Sequence, residues 1–456
     1  MLTTCGCGFG SLALSAMLGD TAAAGPIAAA SPHFAPRARR VIFLFMSGGP
    51  SQVDMFDYKP RLKRESGNPL PFSLPDTEAT VGLDNTRLLG PVTKFSHQGE
   101  SGLFMTDLWP HMAGHADEIC LLRAVQSDSL NHPLATNLLH NGSLNNPTPS
   151  LGAWLSYGLG TENQQLPSFI TIIPTGTPQN YGSGFLPAIH QGTPIQDVGL
   201  DPHRAPIRHL TDPHATAQQQ RRRIDLVQSM NERQLARLEQ DQMMEGVIES
   251  FELAFRMQTA TPKLVEIASE SSTVKRLYGI GEQPTDQLGR QCLLARRFAE
   301  AGVRFVQVSM DGWDHHSGIA AGLPAQLKAS DRPIAGLLTD LKARGLLDDT
   351  LVVWAGEFGR TPFSQDNANN GDLGRDHNDK GFAVWLAGGG VKRGYVHGAT
   401  DEYGFRGVEG KVHIHDLHAT ILHLLGMDHE RLTYRHLGRP FRLTDVYGSV
   451  VHDILA

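Results

Sequence analysis

Short apolar runs recur along the chain, each stopped by glycine or a polar cluster, and between them apolar positions return every three or four residues. Arg40–Phe45 (RVIFLF) ends at Ser47-Gly48-Gly49-Pro50. A run that is apolar on both sides and stopped by glycines reads as a central parallel strand feeding a loop. ICLLRAV within His115–Val125 and the segment Pro167–Ile173 predict further strands. Asn131–Asn141 has helical spacing, with Leu134, Leu138 and Leu139 on one face, Pro133 in the first turn and Asn141-Gly142 as a stop. From Asp286 the alternation is regular. A helix over Asp286–Ala301 leads to a strand over Arg304–Met310, and a helix over Ala325–Arg344 leads to a strand over Leu351–Ala355. A strand over Phe382–Ala387 and a helix over Ile414–Leu425 follow. Strands alternating with helices predict an α/β fold, a three-layer sandwich whose central, mostly parallel sheet carries helices on both faces. In such sheets the ligand site lies outside the carboxyl ends of the strands.

The segments that break this rhythm set the domain plan. Residues 37–456 read as one α/β domain. Asp57–Gln98 is an excursion rich in proline, glycine and charge. Pro174–Pro213 is loop-rich, as a lid or rim would be, and Thr216–Thr261 is mostly helical, so an insertion is expected near 174–262. Residues 1–36 read as an export signal or a disordered terminus. Leu12–Leu18 followed by Ala22–Ala24 and Ala28–Ala30 resembles the apolar and small-residue parts of a secretory signal. No lysine or arginine precedes Arg37, so the signal lacks its basic leader. A periplasmic or secreted bacterial protein with an upstream start is the expectation. No segment is long and apolar enough to be a transmembrane helix.

Charge narrows the partners. The net charge of -7 is spread without long runs of one sign, which argues against nucleic acid. Arg221–Arg223 reads as a solvated helix face. Four cysteines without a CxxC pair make a cysteine zinc site improbable. Histidine is the oddity: there are 21, clustered in Asp311–His316, Asp376–His377 and His413–His423.

Candidate chemistry sits at the predicted strand mouths. RFVQVSM is followed by Asp311-Gly-Trp-Asp314-His315-His316, and LVVWA by Gly356-Glu357-Phe358-Gly359-Arg360. Gly374-Arg375-Asp376-His377-Asn378 comes just before FAVWLA. Carboxylate and imidazole ligands suit zinc, manganese or similar divalent ions. Asp311 and His315 are four apart, a spacing that a turn or short helix can converge on one point. Arg360 and Arg375 flank this centre, where guanidinium groups either bind phosphate or sulfate oxygens or pair with local carboxylates. Trp313 and Trp354 read as core.

These motifs resemble the alkaline phosphatase superfamily, which includes sulfatases and cofactor-independent phosphoglycerate mutases. Asp311-Gly-Trp-Asp-His315 is similar to its metal-binding Asp-x-x-x-His, and His377 stands at the family's distance before an apolar–Gly strand ending at Gly388. Asp416-Leu-His-Ala-Thr-Ile-Leu-His-Leu-Leu-Gly426 resembles a sulfatase helix. The chain from about Arg39 onward looks closer still to a family of secreted bacterial sulfatase-like proteins, the domain of unknown function 1501. Met46-Ser-Gly-Gly-Pro-Ser-Gln-Val-Asp54, Asn131-His-Pro and Gly356-Glu-Phe-Gly-Arg-Thr-Pro362 carry that likeness.

The resemblance implies one metal held by Asp311, His315 and His377, with zinc expected and manganese or calcium as alternatives. It implies a second metal too, but Ser47 and Phe358 stand where that metal's ligands belong, leaving Glu357 with Asp54 or Asp57 to rebuild it. The superfamily's Ser, Thr or Cys nucleophile maps near Asn131-His132-Pro133, so His132 and Glu357 are the candidate catalytic residues and Arg360 and Arg375 the candidate substrate-binding ones. The implied function is hydrolysis of phosphate or sulfate esters of a small molecule or polysaccharide. A metal-stabilised, non-catalytic binding protein on the same fold is the alternative. A mutase or phosphotransferase is disfavoured by the missing hydroxyl or thiol.

Overall fold

Every residue of strand β1 (Arg40–Met46) is buried, and it has a partner on each edge. Its alternate side chains point to opposite faces of the sheet. Ile42, Leu44 and Met46 join one apolar core, while Val41, Phe43 and Phe45 join another. The continuous apolar run therefore marks a strand covered on both sides, and truncating Phe45 to Ala would cost about 3–5 kcal/mol. This computed structural model describes residues 30–73, 86–145, 148–200, 206–207, 215–235, 242–365 and 372–456. The signal-like stretch Leu12–Leu18 lies outside them, as does part of the expected insertion.

The remaining sheet strands are β2 (Ile119–Gln126), β3 (Phe169–Ile172), β4 (Thr193–Ile195), β5 (Phe305–Met310), β6 (Thr350–Ala355), β7 (Phe382–Ala387), β8 (Tyr395–His397) and β9 (Val412–His413). They lie in the order β8-β2-β7-β6-β1-β5-β3-β4, with β9 also paired to β2. Strand β7 runs antiparallel to both β2 and β6, and every other pairing in this sheet is parallel. An apolar run alone does not encode direction, so the sheet is mixed where a fully parallel one would also fit the pattern. Helices α1 (His132–Asn141), α2 (Leu151–Leu159) and α5 (Ile414–Leu424) pack on the Phe43 face. Helices α3 (Asp286–Glu300) and α4 (Ile319–Ala343) pack on the Leu44 face. The three-layer α/β expectation holds.

Some boundaries differ. Helix α4 begins at Ile319, ahead of the expected Ala325, because Pro324 is accommodated inside it. The helical stretch expected over Thr216–Thr261 is described as two helices, Ala217–Leu235 and Gln242–Val265. Trp313, Trp354, Cys120 and Cys292 are all core residues. Among the described residues no helix is long and apolar enough to cross a membrane.

Two features fix the site's supports. The first is α1. The Asn131 side chain caps its start by accepting from the Leu134 N–H, and Gly142 at φ 67° ends it. Its last carbonyls are capped from α5: His418 Nε2 donates to Leu139 O at 2.8 Å and His415 Nε2 to Gly142 O at 3.0 Å. The second is a hairpin of Gly359–Gln365 and Gly374–Asn378, whose register shifts between Arg375 and His377. Arg375 reaches back to the turn Gln52–Met55 and grips Asp54 bidentately, at 2.7 and 3.0 Å. Both side chains are fully buried. Asp54 also accepts from Ser51 Oγ and Val92 N, so the buried charge pair is satisfied on all sides.

Two predictions follow from these supports. Burial pushes His140 down to about 4 and His418 down to about 3 from an ordinary value of 6.5. Both are neutral in the fold, so the unfolded chain binds more protons between pH 6.5 and 4. Their contribution to stability is complete above pH 6.5 and is lost as pH falls toward 4. Scanning calorimetry should show Tm falling across that window, with a shallower slope in His418→Gln, which keeps a donor for Leu139 O. An unchanged slope would contradict this reading. Arg375→Leu should destabilise by about 3–5 kcal/mol, because it strands a buried carboxylate. Adding Asp54→Leu should recover part of the loss, as denaturant titration of single and double variants would show.

Candidate metal centre

The site forms where four chain segments meet above the carboxyl ends of β1, β5 and β6. Gly48, just past β1, has φ 116° and sits so close to the next strand's loop that a Cβ would lie 2.5 Å from Asp314 N. Only glycine fits both the dihedral and the gap. Its N–H donates to Glu357 at the mouth of β6, at 3.0 Å. Its carbonyl and that of Gly49 accept from the Arg360 guanidinium. This meshwork delivers Asp314 to the centre of the site.

Four side chains converge there: His132, Asp314, His316 and His377 each offer a ligand atom, and these atoms lie within 4.8 Å of one another. Asp314 Oδ1 is 3.3 Å from His132 Nε2, 3.0 Å from His316 Nε2 and 3.5 Å from His377 Nε2. Every imidazole is held by its other nitrogen. His132 Nδ1 bonds Glu357 Oε1 at 2.6 Å, His377 Nδ1 bonds Leu130 O at 2.6 Å, and His316 Nδ1 bonds Gln365 Oε1. An acceptor at Nδ1 places the proton there and leaves a lone pair at Nε2, the arrangement that metal-ligating histidines use. His132 Nε2 and His377 Nε2 are also buried without a hydrogen-bond partner. Three Nε2 lone pairs and one carboxylate oxygen match the number and type of donors that zinc takes, and the cluster therefore fits a divalent ion.

Burial and charge shift the titration of these groups. Burial lowers the His132 pKa, but the nearby carboxylates of Asp314 and Glu357 outweigh it and raise the group to about 9. Burial would raise Asp314, yet its contacts with His132, His316, His377 and Arg360 hold it well below the ordinary carboxylate range. His377 is lowered, by burial first and then by Arg360 and the neighbouring histidines.

The sequence-derived candidates are distributed as follows. His377 and His132 enter the cluster. Asp311 and His315 do not, and Asp314 and His316 take their places. The i, i+4 convergence presupposes a helical turn, but residues 311–315 are irregular and the helix starts only at Ile319. His315 N–H and His316 N–H bond back two residues, to Trp313 and Asp314. Residues two apart then face the same side, which selects Asp314 with His316. Asp311 is exposed on the wall of the adjoining cavity, and His315 packs against Gly322. Glu357 is 1% exposed and touches His132 and Gly48 N. Arg360 is fully buried and binds Asp314 together with three backbone carbonyls. Arg375 commits all five donors to Asp54 and to the carbonyls of Leu89, Gly90 and Thr361. The charge pairing held open for these arginines is what the structure contains.

The proposed second-metal carboxylates are likewise engaged elsewhere: Asp54 with Arg375, and Asp57 with Lys59 and Thr400. Phe358 packs its ring on His132 and His377, at centroid distances of 4.7 and 4.3 Å, and so walls the cluster with carbon. In front of the cluster opens a cavity of about 400 Å³ that reaches His132, Asp311, Asp314 and the first turns of α1.

Solved structures similar to this chain include an alkaline phosphatase superfamily protein from Vibrio parahaemolyticus (10% identity, TM-score 0.33, 91% of this chain and 73% of that one). The PsFucS1 sulfatase from Pseudoalteromonas sp. is 14% identical, with TM-score 0.32 over 86% of this chain and 69% of that one. The alkaline phosphatase of the Antarctic bacterium TAB5 is 12% identical, with TM-score 0.32 over 87% and 99%. No curated protein matches the sequence. The model of the family described as "Protein of unknown function (DUF1501)" matches residues 38–455, and the chain belongs to that family.

Proposed function

We propose that this protein is a divalent-metal-dependent hydrolase of phosphate or sulfate esters, exported from a bacterial cell. The observation that carries the metal dependence is the set of three imidazoles, each fixed through Nδ1, with Nε2 turned toward one carboxylate. The export reading rests on the apolar and alanine-rich pattern before Arg37.

Three nitrogens and one oxygen favour zinc, with manganese next, over calcium, which prefers six or more oxygens. An ion held by His132, His316, His377 and Asp314 supplies positive charge to polarise an ester oxygen and to acidify water. The chain's own residues do the rest. Glu357 orients the His132 ring and balances its charge. Arg360 holds Asp314 in place from below. The start of α1 turns backbone dipoles toward the cavity, which favours an anionic ester group there. Both Glu357 oxygens are engaged by Gly48 N, and one of them by His132 as well. Asp311, exposed on the same cavity wall, is the carboxylate placed to accept a proton from an attacking water.

One observation favours a second reading. Four protein ligands complete a tetrahedron, as in structural zinc sites, and Phe358 closes the neighbouring position. A metal-stabilised binding protein would look the same at this level.

The two readings separate on metal content and turnover. Wild type should carry about one zinc per chain and hydrolyse aryl phosphate or aryl sulfate. His377→Ala should lose both, and Glu357→Gln should weaken metal binding about 10–100-fold by releasing His132. Full metal occupancy with no turnover on a broad ester panel would sink the hydrolase reading and leave the binding protein. Gly48→Ala should also lower metal occupancy, since the added methyl displaces the Asp314 backbone. Occupancy equal to wild type would show that the loop position is not set there.

A further inference from the structure

A second cavity, of about 280 Å³, adjoins the one in front of the metal cluster, and the two share Thr175 and Asp311 as walls. It lies between the end of β5, α3 and the segment just after β3. Its polar lining is neutral apart from Asp311: Gln287, Gln291, Ser309 and Thr175. No lysine or arginine among the described residues lines either cavity. Gln291 and Ser309 are 2% and 1% exposed, and their Oε1 and Oγ atoms find no hydrogen-bond partner within the protein. Thr175 Oγ1 is in the same position on the shared wall, and so is Asn180 Oδ1 in the first cavity. Ile173, on the rim of the second cavity, holds φ at 48°. A β-branched residue adopts that conformation only where its surroundings impose it, and such strain collects at binding sites.

These atoms define what could lie there. Buried polar atoms cost roughly 1–3 kcal/mol each when a ligand covers them without bonding to them, which excludes a purely apolar guest. The absent cations and the Asp311 carboxylate disfavour a polyanion. No aromatic side chain lines the second cavity, so a nucleobase has nothing to stack on. Hydroxyl groups both donate and accept, and so can serve the Gln291 and Ser309 oxygens and the Thr175 hydroxyl as water does. Leu288 and Met310 offer apolar wall for the C–H faces of a ring.

We infer that the two cavities form one extended site for a neutral saccharide chain, with the Gln291–Ser309 cavity binding sugar units next to the one held at the metal cluster. The inference rests on the hydrolase reading only for which unit carries the ester. Binding itself stands with or without turnover, so the two ideas can fail separately.

The test uses the full zinc-loaded chain on an array of α- and β-linked hexose, pentose and N-acetylhexosamine oligosaccharides, with acidic chains such as oligogalacturonate alongside. Calorimetry then quantifies the best binder. Neutral chains should bind, and a Gln291→Leu/Ser309→Ala variant should bind them about tenfold or more weakly, the loss expected from one or two buried hydrogen bonds, at unchanged metal content. Asp311→Asn, an exposed position that leaves the core intact, should raise the affinity for acidic chains relative to neutral ones. The proposal is overturned if no neutral chain binds the wild type, if acidic chains bind it better, or if the double variant, folded and metal-loaded, binds as wild type does. An Asp311→Asn protein with the same neutral-to-acidic preference as wild type also counts against it.

Discussion

One carboxylate organises the site. Asp314 is approached by three imidazoles and by the Arg360 guanidinium, which arrive from three parts of the chain. His132 comes from the start of α1, His316 from the loop after β5, and His377 and Arg360 from the hairpin. The backbone of Asp314 is in turn pressed against Gly48 at the end of β1. Three Nε2 lone pairs turned toward one carboxylate oxygen repel it, and a divalent ion among these four atoms would balance them. The mixed sheet, the caps of α1 and the buried Asp54–Arg375 pair all serve to hold these segments in register.

The same residues explain why a second ion has no evident place beside the first. Phe358 fills the space next to His132 and His377 with an aromatic ring, and the Asp54 carboxylate is already neutralised by Arg375. A guanidinium is a permanent cation that needs no loading, and its planar fork matches both carboxylate oxygens. The residues present thus fit one ion, buttressed by a protein-borne charge pair. On the proposed hydrolase reading, chemistry would lean on a single ion, on the α1 dipole and on an exposed carboxylate, where two-metal sites clamp both the attacking and the leaving oxygen.

Most of the fold was legible because buried strands read as apolar runs and α1 carries its own caps in Asn131 and Gly142. The direction of β7 was not, since FAVWLA is equally apolar whichever way it runs. At the site, the Asp/His clusters at strand mouths marked the loops that the structure brings together, and His132 and His377 were named among the candidates. The pairing of Asp311 with His315 depended on a turn or short helix that the irregular loop 311–315 does not make. Spacing in sequence converts to spacing in space only once the backbone conformation is known. Arg360 and Arg375 look alike to a reader of motifs. Only the structure shows that their donors face Asp314, Asp54 and backbone carbonyls. Gln291 and Ser309 gave no signal at all, because a glutamine in an amphipathic helix and a serine near the end of a strand are ordinary until burial leaves them without partners.

The central claim is that Asp314, His132, His316 and His377 hold one divalent ion. X-ray absorption at the zinc edge of the loaded protein, repeated on Asp314→Asn and Asp311→Asn, addresses it most directly. The account predicts a first shell of three imidazole nitrogens and one oxygen at about 2.0–2.2 Å, with a spectrum altered by Asp314→Asn and unchanged by Asp311→Asn. A shell with fewer than three imidazoles, or one that responds to Asp311 and not to Asp314, would contradict it.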